Sequence, residues 1–312
     1  MNKAAIISPR QTARNMFFTE YQRKDYSALV ERIRHARAWE EGNHAANAEL
    51  DVILGLTLRH LGKEAEALVL LLKVVKSQHA SNADKIAANA CLSIRFMEHG
   101  DDFALEAAMH ELECLTPSPA TSLWAAKALG DLSESFARRK DFENAKTICS
   151  YAIDACEGLK RSDDEYLRTE GKEIMSDITC AYASLVLIPQ NKLKQAEKYL
   201  ARGVEGYRVS GHKLKAVECY AHLSRIASAE KRKEEAVLFE EKAWDILKVY
   251  RDKEPFNFLD AGVLLLLLAK DAGWDEDGYL RELFERHGFE NPEKELEAVH
   301  ERRIQTRRDD SN

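Results

Sequence analysis

The pattern that organises this chain is a small residue set beside an apolar one and repeated at intervals: Leu54-Gly55, Leu92-Ser93, Leu132-Ser133, Ala183-Ser184 and Leu223-Ser224. Three positions after each small residue stand Leu58, Phe96, Phe136, Leu187 and Ala227. Seven positions after it come Gly62, Gly100, Lys140, Asn191 and Lys231, and twelve after it Ala67, Leu105, Ala145, Ala196 and Ala236. The small residues are spaced 38, 40, 51 and 40 residues apart. This constant internal frame predicts a run of helical hairpins. The small residue in the first helix lets the second approach closely, the bulky residue fills the next turn, and the alanine sits opposite. The chain reversal then falls at Gly62 and its equivalents.

One such hairpin cannot bury its apolar face, so neighbours must stack. A weaker sixth hairpin opens the chain, with Phe17, Phe18 and Tyr21 in its first helix against Tyr26, Leu29, Ile33 and Ala36. Helix starts are expected at Ser8-Pro9, Ser118-Pro119 and Asn291-Pro292, and Ser162 to Glu165 reads as a capping box. The long interval between Ser133 and Ser184 predicts lengthened helices and a loop kinked at Gly171. Beyond Pro255 the period fails. Helices near 257–271, 276–287 and 292–306 are expected to cap the last repeat, dividing the chain into a repeat region, 1–255, and a cap with a charged tail, 256–312.

The repeat resembles the tetratricopeptide family over roughly residues 10–250, on the strength of Leu54-Gly55, Leu58 and Ala67. Pro117 falls where that family often sets its terminal proline. No repeat carries the family's early tryptophan, and the spacing is nearer 40 residues than 34. The resemblance implies an all-α fold, a right-handed α–α superhelix of five to six hairpins with C-terminal capping helices, whose first helices line a concave groove. It also implies a scaffold or adaptor for another protein or peptide. Counted from the frame, groove positions include Val52, Leu56 and Arg59; Ile94 and Met97; Glu134 and Arg138; Leu185 and Ile188; and Arg225. An open groove leaves Leu56, Ile94 and Leu185 partly exposed, whereas longer helices that close the superhelix bury them. The Lys/Asn/Lys/Arg set with which chaperone-binding relatives hold a terminal carboxylate is missing.

Composition supports long helices and short loops, with only 6 prolines and 14 glycines among 312 residues. The net charge of −7 argues against nucleic acid as a partner. Local basic stretches at Arg138-Arg139-Lys140 and at Arg302, Arg303, Arg307 and Arg308 read as solvated ends. The most apolar run, Val263 to Ala269, is far below the ~20 residues of a membrane span, and the N-terminal residues lack a signal-peptide core. Cys91, Cys114, Cys149, Cys156, Cys180 and Cys219 form no CxxC pair and read as reduced core thiols of a cytoplasmic or nuclear protein.

Catalytic patterns are missing from the sequence. Asp101-Asp102 and Asp163-Asp164 lack the third acid of a diphosphate-binding DDxxD and sit at expected helix caps. No phosphate-loop, dinucleotide, nucleophile-elbow or HExxH motif occurs, and His60, His79, His99, His110, His212 and His222 share no ligand spacing. The expectation is therefore a binding protein without metal or cofactor. A regulatory receptor for a short signalling peptide is the alternative, and an all-α enzyme of unrecognised type a third. The repeats begin too early to leave room for the helix-turn-helix domain that transcription-regulating peptide receptors carry.

Overall fold

The computed structural model describes residues 9–40, 42–115, 122–250, 262, 275–286 and 289–309. Among them every regular element is helical. The chain forms two compact units, Met1–Val186 and Leu187–Asn312.

The first unit contains α1 (Pro9–Gln22), α2 (Tyr26–Trp39), α3 (His44–His60), α4 (Glu64–Lys76), α5 (Asn82–His99), α6 (Asp102–Leu115), α7 (Leu123–Arg138), α8 (Phe142–Lys160) and α9 (Glu165–Tyr182). Successive helices pack as antiparallel pairs, α3 with α4, α5 with α6 and α7 with α8. The first helices also pack side by side, α3 on α5, α5 on α7 and α7 on α9. They form one layer, and α4, α6 and α8 back it.

The turns follow from single residues. Gly62, Gly100 and Lys140 have φ of 69°, 70° and 63°, in the left-handed region that closes a helix. The next N–H, of Lys63, Asp101 or Asp141, reaches back to the carbonyl of Leu58, Phe96 or Phe136 at 2.9–3.0 Å. These acceptors are the bulky residues of the frame. Lys24 makes the same left-handed turn, φ 61°, between α1 and α2. Asp25, Asp101 and Asp141 then cap the following helix by accepting from Ala28, Ala104 and Asn144 N–H.

The small residues do meet the second helix. Ser133 Oγ donates to the Ala145 carbonyl at 2.8 Å, and Ala67 and Ala145 are buried. Leu105, where the alanine is replaced, is only half-buried.

The second unit holds α10 (Leu193–Ser210), a 3-10 turn (Lys213–Lys215), α11 (Ala216–Ala229), α12 (Lys233–Tyr250), α13 (Glu276–Arg286) and α14 (Pro292–Asp309). Asn191 and Lys231 repeat the left-handed turn, with Lys192 N–H on the Leu187 carbonyl and Arg232 N–H on that of Ala227. Ser224 Oγ bonds Glu240 of α12 at 3.2 Å. Leu280 and Phe284 of α13, Phe289, and Leu296 and Val299 of α14 bury Trp244 and Leu247 of α12. Trp244 meets Phe284 edge-on at 5.3 Å. Asn291 caps α14 by accepting from Lys294 N–H, with Pro292 in the first turn.

Three expectations are corrected. The helix start near 162–165 is not a capping box: Asp164, in extended backbone, is the cap and accepts from Tyr166 N–H at 2.9 Å, while Ser162 Oγ holds Asp164 N–H. Gly171 does not kink a loop. It lies buried inside α9, where a Cβ would come within 2.8 Å of the Leu159 side chain, so it permits the close α8–α9 approach. As expected, the extra length of this repeat is taken up by long helices, a 19-residue α8 and an 18-residue α9, together with a π-helical turn, Ala183–Leu187. Finally, Cys114 is exposed rather than a core thiol, although the other five cysteines are buried as expected. Ser8, Pro117, Ser118-Pro119, Pro255, the helix near 257–271 and its Val263–Ala269 run, and the 255/256 boundary lie outside the described residues.

Candidate functional site

The free side of the first-helix layer in unit one carries the densest arrangement of functional side chains. Its residues stand at fixed angles round their helices. At ~100° per residue, Trp124 on α7 lies about 180° from Ser133, Asp131 about 160° and Lys127 about 120°. Cys91 on α5 and His60 at the end of α3 lie about 160° and 140° from Ser93 and Gly55. All five therefore point away from the backing layer of α4, α6 and α8.

Across this side lies α1. Phe18, fully buried, meets the Trp124 ring edge-on at 5.0 Å, and Tyr21 meets it at 5.2 Å. The Tyr21 hydroxyl bonds His60 Nε2 at 2.6 Å, and Tyr26 of α2 stacks flat on the same imidazole at 4.6 Å. The same stretch of α1 also reaches α9: Tyr166 O–H donates to the Asn15 carbonyl at 3.0 Å and bonds the Thr19 hydroxyl at 2.9 Å. One helix thus touches α3, α7 and α9 through aromatic faces and phenol hydroxyls.

Burial on this side keeps a phenol and a thiol protonated and disfavours an imidazolium. Burial, then Asp131, Cys91 and Tyr26, pushes the Tyr21 hydroxyl well above its ordinary value, so Tyr21 meets His60 as a protonated phenol. Burial also lowers His60, helped by Arg59. Burial pushes the Cys91 thiol up to about 12, which leaves no thiolate near neutral pH. Burial works against the Lys127 ammonium, yet Asp131, together with Asp177 and Glu134, outweighs that and raises it.

The residues expected to line a groove are distributed differently. Val52, Leu56, Ile94 and Met97 are 1%, 3%, 1% and 2% exposed. Leu56 and Ile94 thus lack the partial exposure of an open groove. The reason is angular: these positions lie about 40–100° round from the small residue and point sideways, along the layer. Arg59, Glu134 and Leu185 are half-buried, and Arg138 is exposed and paired with Glu134 at 2.5 Å. Ile188 and Arg225, both half-buried, belong to the second unit. Trp124 and Tyr166 escaped the repeat frame because they stand outside its offsets, whereas Tyr21 and Tyr26 were already paired in the opening hairpin. An aromatic nine residues before Ser133, half a turn from it, was the available signal.

A second feature of unit one is a cavity of about 430 Å³ bounded by Arg37, His44, Asn47, Asp51, Lys73 and His79. Asp51, 1% exposed, is held by Arg37 Nε at 2.8 Å and Lys73 Nζ at 2.9 Å. Both cations are therefore committed to a carboxylate of the chain itself. Among the described residues no three His, Cys, Asp or Glu side chains converge as metal ligands, and no helix is long and apolar enough to cross a membrane. No family model matches the chain, and no curated protein matches it.

Proposed function

We propose that this chain is a tetratricopeptide-like α-solenoid, a right-handed superhelix of hairpins, acting as a non-catalytic adaptor that binds an amphipathic segment of another protein. The observation that carries this reading is α1 itself, a helix held along the free side of the first-helix layer by Trp124, His60 and Tyr166. A surface that seats one amphipathic helix through aromatic anchors and a few hydroxyl bonds has the chemistry of a helix-binding site. The recurrence of one left-handed turn at Lys24, Gly62, Gly100, Lys140, Asn191 and Lys231 supports the repeat assignment. The protonated Cys91 thiol and Tyr21 phenol favour recognition over nucleophilic chemistry. We set the protein in the cytoplasm or nucleus, as free buried thiols suit a reducing compartment.

The test is a footprint. Hydrogen exchange of the full chain, alone and with a partner recovered by affinity capture, should show new protection at Tyr26, His60 and the Lys127–Asp131 turn of α7. Protection confined to the outer faces of α4, α6 and α8 would refute the assignment of the binding side.

A further inference from the structure

We infer that α1 is a built-in occupant of the binding side, and that the partner it yields to is an amphipathic helix bearing a Phe-x-x-Tyr pair like Phe18 and Tyr21. This inference rests on the adaptor reading and names its partner class. The geometry supplies the recognition rule. Phe18 and Tyr21 stand three apart on one face of α1 and share the Trp124 ring, so the site takes two aromatics one turn apart. The second carries a hydroxyl, which is hydrogen-bonded to His60 Nε2 at 2.6 Å. Phe17, 9% exposed, widens the apolar stripe, while Met16 on the other side of α1 is 52% exposed.

Two features make α1 displaceable. It has 14 residues, the length at which an isolated helix is marginal in water, and Asn15, Phe17, Phe18, Thr19 and Tyr21 are all modest helix formers. Its helicity therefore depends on docking. It is also joined to α2 by only Arg23, Lys24 and Asp25, hinged at the left-handed Lys24, so release needs no rearrangement of the α3–α9 layer. A tether this short gives α1 a high effective concentration at its site, so an outside helix competes with it rather than finding the side empty. The partner's apparent affinity is lowered by the fraction of molecules with α1 docked.

The experiment uses the full chain and a fluorescein-labelled peptide with the sequence from Pro9 to Arg23. Wild type should bind it weakly. A full-length Phe18→Ala/Tyr21→Ala variant, with α1 no longer anchored, should bind it roughly tenfold or more tightly. A peptide carrying the same two substitutions should bind neither. Hydrogen exchange on wild type gives an arm that needs no variant: excess peptide should speed exchange in α1 while α7 stays protected. Equal affinities for wild type and a folded variant, or α1 amides unmoved by saturating peptide, would overturn the inference. So would a concentration-dependent dimer formed by exchange of α1 between copies, which would assign the side to a second copy of this chain. If a captured partner covers His60 and Asp131 while α1 stays protected, this inference fails and the adaptor reading survives. If the peptide displaces α1 yet partners footprint elsewhere, the reverse holds.

Discussion

Lys140 and Gly62 occupy equivalent turn positions with φ of 63° and 69°, and they differ in what that conformation costs. A side chain in the left-handed region is strained by about 1–2 kcal/mol, and glycine is not. Gly62→Ala should therefore destabilise the chain by about 1 kcal/mol, whereas Lys140→Gly should be neutral or stabilising by up to ~1 kcal/mol. Urea denaturation of the two variants checks this, and the opposite signs identify the turn. His60 makes a second residue-level prediction. Its folded-state value lies below 6.5, chiefly through burial and then Arg59, so the folded form binds a proton less readily than the unfolded chain. Its contribution is whole above about pH 6.5 and falls away as the pH drops through that value towards the lower folded one. Between about pH 7.5 and 5.5 the melting temperature of wild type should fall further than that of His60→Gln. An equal fall in both would remove His60 as a determinant of acid sensitivity.

The pairing of helices rests on positions where there is no room. Ala145 is fully buried and its carbonyl accepts from Ser133, so Ala145→Phe must push α7 and α8 apart, costing about 1–3 kcal/mol. The same substitution at the half-buried Leu105 should cost less, which a parallel melting series would reveal. In the second unit, Phe284 is fully buried against Trp244 and Phe289. Phe284→Ala should open a cavity under α13 and cost about 3–5 kcal/mol, seen as an early unfolding transition of that unit. These helix pairs were legible in the sequence because their determinants are local. A small residue, a bulky one, a turn and an alanine recur within a dozen positions, and the Schellman-type turn uses the same residues. Asp164 was misread for the opposite reason, since Ser162 and Asp164 both cap well and only the backbone entering α9 selects between them.

At the scale of the molecule, the sequence carried the helix inventory far better than the site. Phe17, Phe18 and Tyr21 were recognisable as an apolar face, but their nearest chain neighbours, Tyr26 and Leu29, were the obvious partners. Tyr21 does meet Tyr26 edge-on at 5.5 Å, but α1 also reaches Trp124 on α7, and Thr19 meets Tyr166 across 147 positions of the chain. No periodicity encodes such a contact; it depends on where the stacked layer leaves an uncovered side. The groove positions counted from the frame share this gap, because a repeat offset fixes the angle towards the second helix and leaves the exposed angle open. Val52, Leu56, Ile94 and Met97 are buried within the unit, while Trp124, His60 and Tyr166 are the residues that contact α1. The central claim is that this uncovered side holds an aromatic helix. A double-mutant cycle over Phe18→Ala and Trp124→Ala tests it most directly. The edge-to-face pair predicts a coupling of about 0.5–1.5 kcal/mol in unfolding free energy. Losses that add to within ~0.3 kcal/mol would mean that α1 does not dock on α7, and the account would fall with it.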